Sequence, residues 1–139
     1  ALIKKFEGCK LEAYKCPAGV WSIGFGFTKD VQEGDVWSQT HAEEMLEIEL
    51  EEYEGYINDL VDVPLEQHQF DALVAWVYNL GAGNLISSTL LINLNAGHYA
   101  DIPHEIQRWN KAGGEVLEGL VRRRKAEALL FENKEWSEV

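Results

Sequence analysis

Apolar residues in the first segment of the chain recur at the spacing of a helix. Leu2, Ile3 and Phe6 fall on one side of a helical projection, and the two lysines between them face away. Within residues 1–9 this pattern predicts the end of a short amphipathic helix. The next stretch, from Leu11 to Thr28, breaks the pattern with glycine and proline and contains aromatic and β-branched residues that favour strands.

A β-hairpin is the structure that this second stretch predicts. Its turn lies at Pro17-Ala18-Gly19, between two runs of strand-forming residues. Gly24 and Gly26 interrupt the second run, and glycines inside a strand indicate a bend or a place where a ligand comes close to the backbone. Both alternatives stay open for Gly26 at this point.

Helical periodicity dominates the rest of the chain. A long helix is predicted from Thr40, whose spacing to Glu43 is that of a capping box, to about residue 60. A second helix is predicted from Leu65 to Leu80, with Gly81 as its C-terminal cap. Two shorter helices are predicted from Ser88 to Asn95 and from Ile102 to Asn110, with Pro103 in the first turn of the second. The segment Lys111-Ala112-Gly113-Gly114 is predicted to link them to a last helix.

These elements predict an α+β fold that is mainly helical. A small hairpin lobe would cover about residues 10–35 together with the helix at 1–9. A long helix at about 40–60 would join it to a helical lobe at about 60–139. At 139 residues the chain suits a single domain with two lobes rather than two independent units.

The charge balance bears on the partners of the protein. The 12 basic and 24 acidic residues give a net charge of −12, which argues against a nucleic-acid binder. No apolar run reaches the ~20 residues that span a bilayer, so no membrane contact is expected within this chain. His41, His68, His98 and His104 lack the spacing of metal ligands, and neither a metal nor a cofactor is expected. Because the chain opens on Ala1 rather than Met, a preceding export or anchor segment stays open.

Cys9 and Cys16 are the two cysteines of the chain. Their spacing does not decide whether they form one disulfide, which would fix the hairpin against the first helix, or remain two thiols. A buried structural thiol at Cys16 is the third alternative. The choice matters for any chemistry assigned to Cys16.

Glu7 is the first candidate for chemistry. Glu7 ends a predicted helix and comes just before Gly8 and the hairpin. Its carboxyl group therefore lies at a junction between lobes, where clefts form. Burial at such a junction would keep a proton available for a leaving group. In a chain with 24 acidic residues a solvated glutamate is the plain alternative, and position alone favours it.

Several segments of the chain together resemble the phage-type lysozyme (endolysin) family. The N-terminal part has a Glu-Gly pair, an Ala-Tyr pair and a turn, followed by Ser-Ile-Gly-Phe-Gly-Phe-Thr where the family pattern is Thr-Ile-Gly-Tyr-Gly-His-Thr. The resemblance keeps order and spacing over nearly the whole chain, and it implies a two-lobed lysozyme-like fold. The matching segments are Phe6-Glu7-Gly8-Cys9-Lys10-Leu11-Glu12-Ala13-Tyr14, Pro17 to Gly26, Val63-Pro64-Leu65, Gln69-Phe70-Asp71-Ala72-Leu73, Asn79-Leu80-Gly81 and Gly119-Leu120-Val121-Arg122-Arg123-Arg124.

The resemblance implies catalytic roles for three residues. Glu7 falls on the family's catalytic glutamate, which protonates the glycosidic oxygen. Cys16 falls where the family commonly has an aspartate, and a thiolate there would stabilise an oxocarbenium-like transition state or attack it. Ser22 falls on a threonine that helps to place the attacking water, and it keeps the hydroxyl. A Cys9–Cys16 disulfide would leave Glu7 and Ser22 to carry the chemistry.

The resemblance also implies substrate contacts. Arg123 falls where the family pairs an arginine with the catalytic glutamate. Tyr78, Asn79 and Trp109 fall on cleft-wall positions, where aromatic rings and an amide suit a sugar with apolar faces and N-acetyl groups. With Gly26 these are the predicted substrate-binding residues, and each one alone is equally compatible with plain core or rim.

By resemblance, the protein is a monomeric muramidase that cuts the β-1,4 bond between N-acetylmuramic acid and N-acetylglucosamine in peptidoglycan. It would be made in the cytoplasm of a bacterial host and act on the wall after release. Phe25 and Phe27 depart from the family pattern. Phe25 stands in place of a tyrosine and lacks its hydroxyl, and Phe27 stands in place of a histidine and lacks its imidazole nitrogens. Together with Cys16 in place of the aspartate, these departures keep open an impaired relative that only binds wall glycan, and an engineered sequence. A helical module that docks through its acidic helix is a further alternative.

Overall fold

The computed structural model describes residues 1–16 and 19–139. The described chain divides into two compact units, Ala1–Glu52 and Tyr53–Val139. Most of its regular structure is helical, and small antiparallel sheets accompany the helices. The predicted α+β, mainly helical fold class is therefore confirmed.

The first unit begins with a helix and a hairpin. The helix α1 (Leu2–Glu7) buries its apolar side, as its periodicity predicts. The strands β1 (Lys10–Lys15) and β2 (Trp21–Gly24) pair antiparallel, which confirms the predicted hairpin. Of the predicted turn, Pro17 and Ala18 lie outside the described residues.

A third extended segment, which contains Asp35 and Trp37, runs beside β1. The amide of Ala13 donates to the carbonyl of Asp35 at 2.8 Å, and the amide of Trp37 donates to the carbonyl of Leu11 at 2.8 Å. The Trp37 ring packs on Gly24: a Cβ at Gly24 would lie 2.9 Å from the ring, and the φ of 65° also favours glycine. Gly24 therefore serves packing within the first unit.

The helix α2 (Gln39–Leu60) is the long helix that the sequence predicts. Its N-terminal cap is Ser38, whose Oγ accepts a hydrogen bond from the amide of His41 at 3.1 Å. The predicted capping box of Thr40 and Glu43 is wrong. The helix begins one residue earlier than predicted, so Thr40 lies inside the first turn, where its side chain does not cap the helix.

The helix α3 (Gln67–Leu80) buries a continuous run from Ala72 to Val77. Glu66 and Gln69 form a reciprocal capping box at its start, so the helix begins two residues later than predicted. Gly81 ends the helix as predicted and has a positive φ of 87°, but its ψ of 156° is not that of the left-handed cap that the sequence predicts.

The rest of the second unit contains short helices, a hairpin and the C-terminal helix. The helix predicted to reach Asn110 ends at Gln107, because the chain then turns into a small hairpin. The segment predicted as a link to the last helix forms that hairpin. The elements are α4 (Ala82–Ile86), α5 (Thr89–Asn95) capped by Ser88, a 3-10 turn (Tyr99–Asp101), α6 (Ile102–Gln107) with Pro103 in its first turn, β3 (Lys111–Ala112), β4 (Glu115–Val116) and α7 (Glu118–Phe131).

Candidate active site

Glu7 is the last residue of α1, and its side chain is half-buried. The carboxylate lies against the chain just after β2: a Cβ built on Gly26 would be 2.9 Å from Glu7 Oε1. Gly26 also has a φ of 85°, so contact and backbone conformation both favour glycine here. The helix and the hairpin thus hold the candidate acid against a stretch of backbone that leaves room for it.

Ser22 and Cys16 lie on the same face of the hairpin as Tyr14. Tyr14 and Ser22 are directly opposite each other in the register of the two strands. Just beyond, the amide of Cys16 donates to the carbonyl of Val20 at 2.9 Å. Residues two apart in a strand share a face, so Tyr14 and Cys16 project to the same side. Ser22 is only 4% exposed, and its Oγ donates to the Val20 carbonyl at 3.4 Å.

Tyr14 interacts with all three candidate catalytic residues. Burial raises the pKa of its phenol above 10.0, the charges of Glu7 and Cys16 raise it further, and a hydrogen bond with Ser22 opposes them. Charges act this way only when they lie near the phenol. The structure therefore brings the three predicted catalytic residues together around a residue that the sequence analysis did not single out. The available signal was the strand alternation that puts Tyr14 and Cys16 on one face.

No disulfide joins Cys9 and Cys16, so both remain thiols. Cys9 Sγ instead donates to Oε1 of Gln39, the first residue of α2, at 3.7 Å. The disulfide alternative therefore does not hold. Cys16 keeps its thiol, and its charge acts on the phenol of Tyr14.

Phe25 and Phe27, which depart from the family pattern, both pack within the first unit. Phe25 is 5% exposed, and Nζ of Lys4 lies 5.7 Å from the centre of its ring. The Phe27 ring lies 5.2 Å from that of Trp37, which meets His41 edge-on at 4.6 Å. Apolar and aromatic packing therefore explains why phenylalanine is compatible with the fold at both positions.

Tyr78 and Asn79 lie near the C-terminal end of α3. The Tyr78 ring meets the Tyr53 ring at a centroid distance of 5.1 Å, and Tyr53 meets Tyr56 at 5.8 Å. This packing leaves Tyr78 half-buried, whereas Asn79 is exposed. The Asn79 amide is accessible to a ligand, and one edge of the Tyr78 ring is occupied by its neighbour.

Trp109 is half-buried and packs edge-on against the fully buried Trp76, with ring centroids 5.3 Å apart. It also lines a pocket of about 410 Å³ in the second unit. Glu105, Arg108 and Lys111 contribute charges to the same pocket, and Arg108 Nη1 donates to Glu105 Oε2 at 2.8 Å. Trp109 thus packs against the core through Trp76 and also lines a cavity.

Arg123, the residue predicted to pair with the catalytic glutamate, is buried in α7. Its Nε donates to Glu127 Oε2 and its Nη2 donates to the carbonyl of Ala75, each at 3.3 Å. Arg124 lies beside the same carboxylate, with Nε 2.7 Å from Oε1. Burial raises the pKa of Glu127 to about 7, although both guanidinium groups oppose this. The pairing of Arg123 with Glu7 stays a prediction.

The described residues contain neither a cluster of metal ligands nor a helix that could span a membrane. Across residues 1–16 and 19–139, no group of three or more His, Cys, Asp and Glu side chains is arranged to hold a metal ion. Within the same ranges, no helix combines the length and the apolar character needed to cross a bilayer.

Comparisons with known proteins identify relatives over nearly the whole chain. The endolysin of Acyrthosiphon pisum secondary endosymbiont phage 1 is 41% identical over 136 residues, which cover 95% of this chain and 93% of that protein. The endolysin of Bacillus phage B103 is 44% identical over 133 residues, but the chain spans only 51% of its length. The solved muramidase domain of SpmX from Asticaccaulis excentricus superposes with a TM-score of 0.87 at 36% identity, covering 94% of this chain and 91% of that domain.

The family comparison agrees with these relatives. Residues 4–127 match the sequence profile of the family described as phage lysozyme. That range includes Glu7, Cys16 and Ser22 as well as all five residues predicted to contact substrate. The chain therefore belongs to the phage lysozyme family and is a glycoside hydrolase of the lysozyme type.

Proposed function

We propose that the protein is a muramidase that cleaves the β-1,4 bond between N-acetylmuramic acid and N-acetylglucosamine in peptidoglycan, with Glu7 as the general acid. The observation that carries the proposal is the packing of the Glu7 carboxylate on Gly26, near Tyr14, which also interacts with Cys16 and Ser22. Membership of the phage lysozyme family and the likeness to a muramidase domain support the type of reaction.

In this mechanism Glu7 protonates the glycosidic oxygen as the bond to the anomeric carbon breaks. Ser22 helps to place the attacking water. Cys16, as a thiolate, stabilises the positive charge that develops on the sugar. Direct attack by water inverts the anomeric configuration, whereas attack by Cys16 followed by water retains it. Cys16 is in no disulfide, and its thiol is compatible with both routes.

The proposed sugar contacts use aromatic faces and single polar groups. The exposed amide of Asn79 suits an N-acetyl group, and the half-buried rings of Tyr78 and Trp109 suit the apolar face of a sugar. Gly26 would let the glycan approach the backbone beside Glu7. Arg123 is proposed to pair with the Glu7 carboxylate and to hold it in place.

We further propose that the protein acts as a monomer on the bacterial wall, after release from the cytoplasm in which it is made. The net charge of −12 does not attract the protein to an anionic wall. Approach would therefore depend on contacts at the site rather than on long-range steering. Added salt should speed wall clearing or leave it unchanged, since it screens repulsion.

The first test is clearing of purified peptidoglycan by the wild type and by Glu7→Gln, each with and without a thiol reductant. Glu12→Gln is the matched control, because Glu12 is an exposed carboxylate on β1. We expect clearing by the wild type and Glu12→Gln and no clearing by Glu7→Gln. Mass spectrometry of the released fragments would identify the bond that is cut.

Failure of a well-folded wild type to clear the wall would overturn the proposal. Sedimentation of the protein with peptidoglycan would then identify a relative that binds wall glycan without cutting it. Equal clearing by Glu7→Gln and the wild type would leave the activity in place but remove Glu7 from the role of acid.

A further inference from the structure

A short closed loop carries the backbone on which the Glu7 carboxylate rests. The amide of Ile23 donates to the carbonyl of Phe27, and the amide of Phe27 donates to the carbonyl of Ile23, each at 2.9 Å. These two bonds close the segment 23–27, which we call the glycine loop. Gly26 lies inside it, and the Glu7 carboxylate packs on Gly26. A shift of the glycine loop would therefore change the surface against which the proposed acid is held.

The Trp37 ring packs on the glycine loop near its start and at its end. A Cβ on Gly24 would lie 2.9 Å from Cζ3 of Trp37 and 3.1 Å from its Cε3. The Phe27 ring lies 5.2 Å from the Trp37 ring, at an interplanar angle of 53°, which is a favourable arrangement of two aromatic rings. Phe27 has no polar atom in its side chain, so ring packing is what holds that side chain. One ring thus contacts the loop at two places.

Trp37 is also held by two elements outside the glycine loop. Its amide donates to the carbonyl of Leu11 at 2.8 Å, which ties its backbone to β1. Its ring meets the ring of His41, in the first turn of α2, edge-on at a centroid distance of 4.6 Å. A movement of the glycine loop relative to β1 and α2 would have to break contacts with Trp37, and closely packed contacts of this kind resist movement.

We infer that Trp37 is a positioning residue for the proposed hydrolysis: its ring fixes the glycine loop against β1 and α2, and thereby fixes the Gly26 backbone that holds the Glu7 carboxylate. This inference rests on the proposed role of Glu7 as the general acid. Trp37 exchanges no proton with the substrate and forms no bond with it. Its effect passes through Gly26.

Plain core packing is the other explanation of the Trp37 ring. If the ring only packs, its loss lowers the free energy of unfolding and leaves the turnover of the folded enzyme unchanged. If the ring positions the glycine loop, its loss lowers kcat even in fully folded protein, because a misplaced acid costs rate. Turnover and stability measured on the same variants therefore separate the two explanations.

The test is a double-mutant cycle with Trp37→Leu, Gly26→Ala and the double variant. The turnover of soluble peptidoglycan fragments gives kcat and KM, at a temperature at which thermal unfolding shows every variant to be folded. Trp136→Leu is the matched control, because Trp136 is also half-buried but lies in the second unit. If Trp37→Leu does not fold, Trp37→Phe replaces it in the same cycle, since it keeps a smaller aromatic ring.

We expect Trp37→Leu to lower kcat about tenfold with KM unchanged, which is part of the roughly 100-fold cost of a 1 Å misplacement. Trp37→Phe should lose less. On the Gly26→Ala background the loss of the Trp37 ring should have no further effect, because the acid is already displaced from the loop. Trp136→Leu should leave kcat unchanged even where its stability falls.

Hydrogen exchange gives a readout that does not depend on activity. The amides of Ile23 and Phe27 close the glycine loop, so they should exchange faster in Trp37→Leu than in the wild type. The amide of Ala13 is the internal reference, because it donates to the Asp35 carbonyl at 2.8 Å in the same unit but outside the loop. Its exchange should change less than that of the two loop amides.

Three results would each overturn the inference while the proposed function stands. The first is a kcat of Trp37→Leu equal to that of the wild type. The second is the same loss of kcat with and without Gly26→Ala, which would make the role of Trp37 independent of Gly26. The third is unchanged exchange of the two loop amides. Failure of the proposed function has a different signature, since full activity of Glu7→Gln would remove the acid that the loop is inferred to position.

Discussion

The carboxylate of Glu7 is packed so closely on Gly26 that a Cβ on Gly26 would lie 2.9 Å from Glu7 Oε1. A Gly26→Ala substitution must therefore displace the proposed acid. Displacing a catalytic group by about 1 Å costs on the order of 100-fold in rate, and we expect a loss of that size in peptidoglycan cleavage. The cleavage rate and the thermal unfolding of Gly26→Ala check this prediction.

Gly34→Ala is the control for this substitution. Gly34 also has a positive φ, of 91°, but a Cβ there would meet no heavy atom within 4 Å. Both variants carry backbone strain of about 1–3 kcal/mol, and only Gly26→Ala pushes on Glu7. Equal activity losses in the two variants would assign the effect to strain and not to the contact.

Much of the fold was predictable because local signals agree with tertiary packing. The hairpin follows from its alternation and glycines, and α2 and α3 follow from long apolar stripes. The start of α2 was misplaced because Ser38 and Thr40 are both good caps, and sequence alone does not say which one precedes the first helical turn. The segment with Asp35 and Trp37 pairs with β1 through backbone bonds, which leave no mark in side-chain pattern.

The candidate site was predictable only in part. Glu7, Cys16 and Ser22 came from the family resemblance and not from their own chemistry, since a glutamate in so acidic a chain carries no signal. Tyr14 was taken only as a strand residue, and its place opposite Ser22 depends on the register of the hairpin. The contact of Gly26 with Glu7 depends on a positive φ and on distant chain segments, which spacing does not encode.

Cys16 allows a test of the thiol in the mechanism. Cys16→Ala should lower the cleavage rate by about 100-fold or more, as does loss of a group that stabilises transition-state charge. Cys16→Asp should retain more activity than Cys16→Ala, because a carboxylate also carries a negative charge. Cys9→Ala is the matched control, since Cys9 also keeps its thiol and bonds to Gln39.

The reductant response is a separate measure of the same residue. No disulfide joins the two cysteines in the structure, so a reductant should not change the activity of freshly reduced protein. Titration with a thiol reagent under denaturing conditions should find two reactive groups per chain. An activity that rises on reduction would indicate that a bridge forms in solution and inhibits the enzyme.

The buried charges of α7 predict a large difference between two neighbouring arginines. Arg124 is fully buried with Nε 2.7 Å from Glu127 Oε1, whereas Arg122 is exposed. Arg124→Met removes one of the two guanidinium groups that compensate the buried charge of Glu127. It should lower the free energy of unfolding by about 3 kcal/mol. Arg122→Met should change it by less than about 0.5 kcal/mol. Chemical denaturation measures both, and similar values for the two variants would contradict the assigned pairing.

His68 makes stability depend on pH through a contact between the start of α3 and the end of α7. Its Nε2 lies 2.6 Å from Glu66 Oε2 and its Nδ1 lies 2.9 Å from the Phe131 carbonyl. Both partners are acceptors, so both ring nitrogens donate only when the imidazole is protonated. The hydrogen bond to Glu66 accordingly raises the pKa of His68 above 6.5, and the Phe131 carbonyl adds to the shift.

The sign of the pH dependence follows from that raised pKa. The folded state holds the His68 proton more tightly than the unfolded state does, so the contribution to stability is complete below pH 6.5 and is lost as pH rises through the folded pKa. The melting temperature of the wild type should exceed that of His68→Gln most at about pH 5, and the gap should narrow by about pH 9. His98→Gln, at an exposed position, should show no such trend. A gap that stays constant or widens with pH would show that the protonated imidazole does not stabilise this contact.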